Sequence, residues 1–152
     1  FDFRWYFVGD GSMRPEIERL IHAKRLESMI VLTGEQENPY PYMAAADIYV
    51  QTSRFEGFGL TIAEAKILGK PVVSTCFPVV FNQIEDGKNG LIADMNPKDI
   101  VDKICAYIHH PILREEIRKN LSTEVDTTAI TESKKVNQLI LMKDSVCQTM
   151  DA

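Results

Sequence analysis

DIYVQTSRFEGFGLTIAEAKILGKPVVST, residues 47–75, reads as strand, loop, helix and strand in one continuous run. DIYVQ (47–51) and PVVST (71–75) are apolar runs without polar alternation, which suits strands buried on both faces of a parallel sheet. Between them, Gly57 and Gly59 let the backbone turn. From Leu60 the residues are good helix formers, and Gly69 followed by Pro71 closes the helix. At about 100° per residue, Leu60, Ala63, Ile67 and Leu68 share one face, with Glu64 near its centre. A carboxylate there is costly unless it is hydrogen-bonded or reaches an open cleft. Glu56 falls outside the helix, in the loop just before it. The two glutamates therefore flank a helix N-terminus, whose N–H groups and dipole attract an anion that the glycines let approach closely. A diphosphate between them, with a ribose on one side and a hexose on the other, would satisfy every group in the stretch. A sugar nucleotide has that shape.

The same alternation extends in both directions. WYFVG (5–9), MIVLTG (29–34) and the weaker GLIA (90–93) read as further strands. Met13, Ile17, Leu20, Ile21 and Lys24 mark a helical stripe with Ser12 as candidate cap. A short helix is expected from about Tyr40 to Ala46, and a turn from Val79 to Ile84. Asn96 caps and Pro97 opens an amphipathic helix with Ile100, Val101, Ile104, Cys105 and Ile108 on one side. Pro111 restarts a helix carrying Leu113, Ile117 and Leu121, and a more polar helix is expected over 131–143, with fraying beyond Lys143. Strand and helix in alternation predict an α/β fold, an open, Rossmann-like, doubly wound parallel sheet. The chain reads as one domain, an α/β core over 1–95 followed by C-terminal helices over 96–152. In such a sheet ligands bind past the carboxyl ends of the strands, and residues 52–59 follow the DIYVQ strand at that edge.

Composition narrows the partners. With 45% hydrophobic and 26% charged residues the chain has ordinary globular character and can bury a core. A net charge of −5 without a long basic run argues against nucleic acid or an anionic membrane surface as the main partner. No apolar run approaches the roughly 20 residues of a membrane span, and no signal peptide is evident. Cys76, Cys105 and Cys147 are odd in number and widely spaced, which suits thiols in a reducing cytoplasm. The chain opens at Phe1 and enters an apolar segment at once, as a piece of a longer protein would.

Other motifs give weaker signals. Val8-Gly9-Asp10-Gly11-Ser12 joins a strand to a helix, but Arg14 stands where a dinucleotide fingerprint needs its third glycine, so a plain turn is the better reading. His22, His109 and His110 lack metal-ligand spacing, and one Cys105–His109 pair makes no site. There is no G-x-S-x-G elbow, no P-loop and no Asp-x-Asp to hold a metal on a diphosphate. No metal and no cofactor are expected.

Residues 46–65, ADIYVQTSRFEGFGLTIAEA, together with Gly69-Lys70-Pro71-Val72-Val73 and Asp86-Gly87-Lys88-Asn89-Gly90-Leu91, resemble the C-terminal, donor-binding domain of the retaining, group 1 glycosyltransferases of GT-B fold. Val8-Gly9-Asp10-Gly11 and Thr33-Gly34 fit that domain's earlier strand ends, and the resemblance runs in order from about residue 5 to 120. It implies transfer of a hexosyl unit from a nucleotide-diphosphate sugar, with retention and without a metal. Glu56 matches the glutamate that contacts the donor sugar near the reacting carbon. Gly57, Phe58 and Gly59 match the turn around sugar and phosphate, and Leu60 and Thr61 the helix-start amides on the diphosphate. Glu64 matches the glutamate on the ribose hydroxyls, and Gly34 to Gln36 the loop beside the nucleobase. Details around Asn38-Pro39-Tyr40 and Phe77-Pro78-Val79 look most like enzymes of bacterial surface polysaccharide synthesis.

The departures carry expectations of their own. The family's first C-domain strand, with the Arg and Lys that grip the diphosphate, should precede residue 5. By doubly wound order that strand would be central, so the sheet here should be interrupted or close abnormally. The N-terminal domain, which would present a glycan or lipid-linked acceptor, is also absent, so this polypeptide alone should be inactive. The expected location is cytoplasmic, extending to the inner face of the membrane through peripheral contact of the longer enzyme. Residues 76–82 lack the Gly-Gly and Pro-Glu of many relatives, which leaves the donor open. The competing readings are a sugar-nucleotide 2-epimerase of the same architecture and a nucleotide-binding module without chemistry.

Overall fold

The computed structural model describes residues 3–123; the helix expected over 131–143, the fraying beyond Lys143 and Cys147 lie outside the described residues. The chain divides into two compact units, one ending at Tyr42 and one beginning at Met43.

In the first unit, β1 (Trp5–Val8), α1 (Arg14–Lys24) and β2 (Ile30–Gly34) follow the expected order. β1 and β2 pair in parallel, Trp5 opposite Ile30, and the register shifts between Phe7 and Val8. The shift brings Gly9, at φ 125°, to donate its N–H to the Gly34 carbonyl at 2.8 Å. Ser12 does not cap α1. Met13 holds the N-cap position in helical geometry with no side-chain bond, and Pro15 presets the first turn instead. Of the predicted stripe, Ile21 is buried while Leu20 and Met13 are exposed. Nor is β1 covered on both faces, since Phe7 and Val8 are exposed. A two-stranded ladder has too little chain around it to be sheltered on both sides, whatever its apolar run suggests.

The second unit holds α2 from Met43 onward (the helix spans Tyr40–Ala45), then β3 (Tyr49–Gln51), α3 (Leu60–Ile67), β4 (Val72–Thr75), a 3₁₀ turn (Pro78–Asn82), β5 (Leu91–Ala93), α4 (Pro97–His109) and α5 (Pro111–Thr123). β4 lies between β3 and β5 in a parallel sheet, with all four of its residues buried. Its side chains alternate between two apolar clusters. Val72 joins Met43, Ile62, Ala65, Phe77, Val80 and Ile84 on the α3 side. Val73 joins Leu91, Ala93, Tyr107, Ile117 and Leu121 on the side of α4 and α5. Helices on both faces of a parallel sheet are the doubly wound arrangement. Among the described residues the named strands pair in parallel and form two sheets, β1-β2 and β3-β4-β5. The interruption anticipated in the sheet thus falls between the first two strands and the last three.

Two helical faces differ from the sequence reading. In α3 the buried residues are Ile62 and Ala65, both fully inaccessible, whereas Leu60 is 65% exposed. Six of the nine positions 60–68 are apolar, so the stripe has no unique phase, and contact with Phe77, Val80 and Ile84 selects the Ile62 side. Glu64 consequently does not sit at the centre of a buried face; it is half-buried beside it. In α4, Val101 is exposed and the buried residue is Tyr107, whose hydroxyl donates to the Val72 carbonyl at 3.1 Å. A tyrosine can go inside when its oxygen finds such a partner. The α4 cap is as read: the Asn96 side chain accepts from the Asp99 N–H at 2.9 Å. Among the described residues no helix is long and apolar enough to cross a membrane.

Candidate functional site

The chain leaves β3 at Gln51 and reaches α3 at Leu60, and this connection carries most of the predicted site. Thr75, at the end of β4, fixes its start by donating its hydroxyl to the carbonyls of Ser53 and, at 3.4 Å, Gln51. Glu56 then turns back toward the strand. Its Oε1 accepts from the Ser53 hydroxyl and the Gln51 amide, each at 2.7 Å. Among the described residues its Oε2 accepts no hydrogen bond, so one carboxylate oxygen is held and the other is available. The amide of Gln51 is itself oriented: its oxygen accepts from the Tyr49 hydroxyl at 2.6 Å and the Thr61 hydroxyl at 3.2 Å. Burial raises the pKa of Tyr49, and the charges of Glu64 and Glu56 raise it further, so its hydroxyl stays a donor.

The helix start is built around Gly59. It adopts φ 76°, in the left-handed region, and its carbonyl receives the first helical bond, from the Ile62 N–H at 3.0 Å. The N–H groups of Leu60 and Thr61 therefore precede the helical ladder and point out of the N-terminus. A Cβ on Gly59 would come within 3.1 Å of the Gln83 amide nitrogen. That nitrogen donates to the Phe58 carbonyl and ties the glycine turn to the segment after β4, while the Phe58 ring stays exposed. The Gln83 carbonyl in turn accepts from Lys66 Nζ at 2.6 Å. Gly69, at φ 65°, ends the helix as the sequence indicated, donating to the Lys66 carbonyl at 2.9 Å.

The structure brings Glu56, Gly57, Phe58, Gly59, Leu60, Thr61 and Glu64 together on one connection and one helix in the second unit. Gly34 and Gln36 belong to the first unit. Gly34 ends β2 at φ 74°, and the Gln36 amide folds back onto the Thr33 carbonyl at 2.9 Å. The Asp86–Gly90 signature serves the scaffold. Asp86 accepts from the Ile92 N–H and Asn89 from the Glu85 N–H, each at 2.8 Å, which shapes the turn into β5. Sequence reading missed Gln51, Ser53, Thr75 and Gln83, all supports of the site. Their signal was faint: polar residues at the carboxyl ends of strands or just past them, in runs otherwise apolar.

Among the described residues no group of three or more His, Cys, Asp or Glu side chains is gathered to hold a metal ion. What the arrangement offers is hydrogen bonding: one carboxylate on the connection before α3, a second within the helix, and the N–H groups of the helix start between them in sequence.

Residues 2–123 match the family of glycosyl transferases group 1. The chain belongs to this glycosyltransferase family, and its α/β architecture matches GT-B neighbours. It is 33% identical over 137 residues to a poly(ribitol-phosphate) alpha-N-acetylglucosaminyltransferase of Staphylococcus aureus, covering 85% of this chain and 27% of that protein. It is 30% identical over 122 residues to an alpha-D-kanosaminyltransferase of Streptomyces kanamyceticus, covering 78% and 32%. Among solved structures, Anabaena HepE in complex with UDP superposes with a TM-score of 0.74 at 25% identity, over 92% of this chain and 40% of that one. The chain thus spans about a third or less of the length of these two curated relatives.

Proposed function

We propose that this chain is the donor-binding half of a retaining glycosyltransferase that moves a hexosyl unit from a nucleotide-diphosphate sugar to a glycan or lipid-linked acceptor. The observation that carries the reading is the α3 N-terminus opened by the left-handed Gly59, with the held carboxylate of Glu56 on the connection before it and Glu64 within the helix. In this reading the diphosphate lies on the Leu60 and Thr61 amides, where the helix dipole stabilises its charge as it departs. Glu64 holds the ribose hydroxyls, and the available oxygen of Glu56 faces the transferred sugar. Gly57 and Gly59 let the backbone approach, with Phe58 between them. The bond from the anomeric carbon to the diphosphate breaks, and one to the acceptor oxygen forms on the same face. No metal takes part, because helix amides supply the positive potential. The alpha-N-acetylglucosaminyl and kanosaminyl transferases among the relatives, and the UDP held by HepE, support a nucleotide-sugar donor. The reading includes a role in bacterial surface polysaccharide synthesis at or near the cytoplasmic face of the membrane; the poly(ribitol-phosphate) and O-antigen biosynthesis glycosyltransferases among the relatives support a polymeric glycan product.

A sugar-nucleotide 2-epimerase would need further acid and base groups, and the described histidines lie on α1 and at the end of α4. The test is titration of the chain with UDP, GDP, ADP and their sugars. Binding of one nucleotide, weakened about tenfold or more in Glu64→Ala by loss of charge-assisted hydrogen bonds, is expected. Binding indifferent to Glu64→Ala would remove the ribose contact and the reading with it.

A further inference from the structure

Glu56 is an oddly supported residue: its two donors, Gln51 at the end of β3 and Ser53 just past it, both act on the same oxygen. The geometry assigns Gln51 as the positioning residue that holds the Glu56 carboxylate toward the transferred sugar, with Tyr49 and Thr61 locking the Gln51 amide in the orientation that does so. The assignment rests on the donor-site reading above and adds to it a residue that the reading does not contain.

An amide side chain can point either end at a carboxylate, and only one end attracts it. Here the choice is made by neighbours. Gln51 Oε1 is taken by two hydroxyl donors, Tyr49 at 2.6 Å and Thr61 at 3.2 Å. Those hydroxyls match the orientation that the acceptor-only carboxylate requires, with Nε2 toward Glu56 Oε1, 2.7 Å away, and toward Ser53 Oγ, 2.8 Å away. The Ser53 hydroxyl spends its proton on the same Glu56 oxygen at 2.7 Å. Every donor in the chain Tyr49 → Gln51 → Glu56 therefore has one direction, and it ends on the carboxylate. Tyr49 anchors the start because it sits inside β3, and its neighbour Gln51 is clamped in turn by the Thr75 hydroxyl on its backbone carbonyl at 3.4 Å. Glu56, by contrast, is half-buried on a connection outside any strand or helix, near the exposed rings of Phe55 and Phe58. A carboxylate on such a loop would sample several rotamers without these bonds. Fixing one oxygen restricts the second to few positions, and pre-organisation of that kind is what a sugar contact needs.

The test uses the member of the panel UDP, GDP and ADP that binds most tightly, and its glucose and N-acetylglucosamine esters. Gln51→Leu removes the donor at similar size. It should weaken the nucleotide-sugar about tenfold relative to the nucleotide alone, as expected for a hydrogen bond to a charged group. Tyr49→Phe, which leaves the amide free to flip, should shift the same ratio in the same direction by a smaller factor. A structural role would move both ligands together. In a Glu56→Gln background, Gln51→Leu should have little further effect, because the two act as one unit. An unchanged ratio in both Gln51→Leu and Tyr49→Phe, or effects that simply multiply with Glu56→Gln, would overturn the assignment and leave the donor site standing. Wild-type chain that binds none of the nucleotides or their sugars would overturn the donor site and this assignment together.

Discussion

Gly59 concentrates several demands in one residue. Its φ of 76° is one that a side chain resists at about 1–2 kcal/mol, and an added Cβ would press on the Gln83 amide at 3.1 Å. Gly59→Ala should therefore destabilise the fold by about 1–3 kcal/mol in urea unfolding, and should lower nucleotide affinity through displacement of the Leu60 and Thr61 amides. Loss of affinity without loss of stability would show that only the close approach matters. The residue scale is also where the sequence was most informative. Glu64 was singled out for a burial that the phase of α3 removes, whereas Gly59 was legible because its backbone takes a φ that side chains resist. Gln83 was not, since its use depends on a partner far away in the chain: its nitrogen meets Phe58, 25 positions earlier. No local pattern encodes that.

At the scale of elements, caps and breakers were readable and helical phase was not always so. Asn96 and Pro97 start α4 as their chemistry dictates, so Asn96→Ala should cost about 1 kcal/mol, measurable as a lower urea midpoint with unchanged slope. The phase of α3 stayed hidden because its apolar residues surround the helix, and only packing on Phe77 and Val80 distinguishes its faces. Tyr107 escaped notice for a related reason: the stripe was drawn through aliphatic residues, yet the tyrosine fills the core and bonds Val72. Burial, with Asp86 adding its negative charge, raises the Tyr107 pKa. The unfolded tyrosine ionises near pH 10 while the folded one keeps its proton, so the folded state binds more protons above that pH. Stability should then fall as pH rises from about 10 toward the raised folded value. Tyr107→Phe should cost about 1 kcal/mol at pH 7 and make this alkaline decline shallower. An unaltered decline would show that Tyr107 does not drive it.

The whole molecule reflects a fold read correctly in kind and incompletely in detail. Parallel pairing and helices on both faces of β3-β4-β5 follow from short apolar runs separated by helical stripes. Exposure in the first unit did not follow, because burial of a strand depends on what covers it rather than on its own residues. The division into β1-β2 and β3-β4-β5 was anticipated from family order, not from any local signal. At this scale the account predicts no transfer by this chain alone, since the acceptor would be held elsewhere in a longer enzyme. An assay of nucleotide release from a sugar nucleotide in the presence of acceptor glycans should read background, and turnover would contradict that.

The most direct measurement is calorimetric titration of the chain with UDP, GDP, ADP and their sugars, in magnesium and in EDTA. The account predicts saturable binding of one nucleotide, equal in both buffers and about tenfold weaker in Glu64→Ala. Binding that requires magnesium, or that ignores Glu64→Ala, would contradict a donor site made of a helix N-terminus and two glutamates.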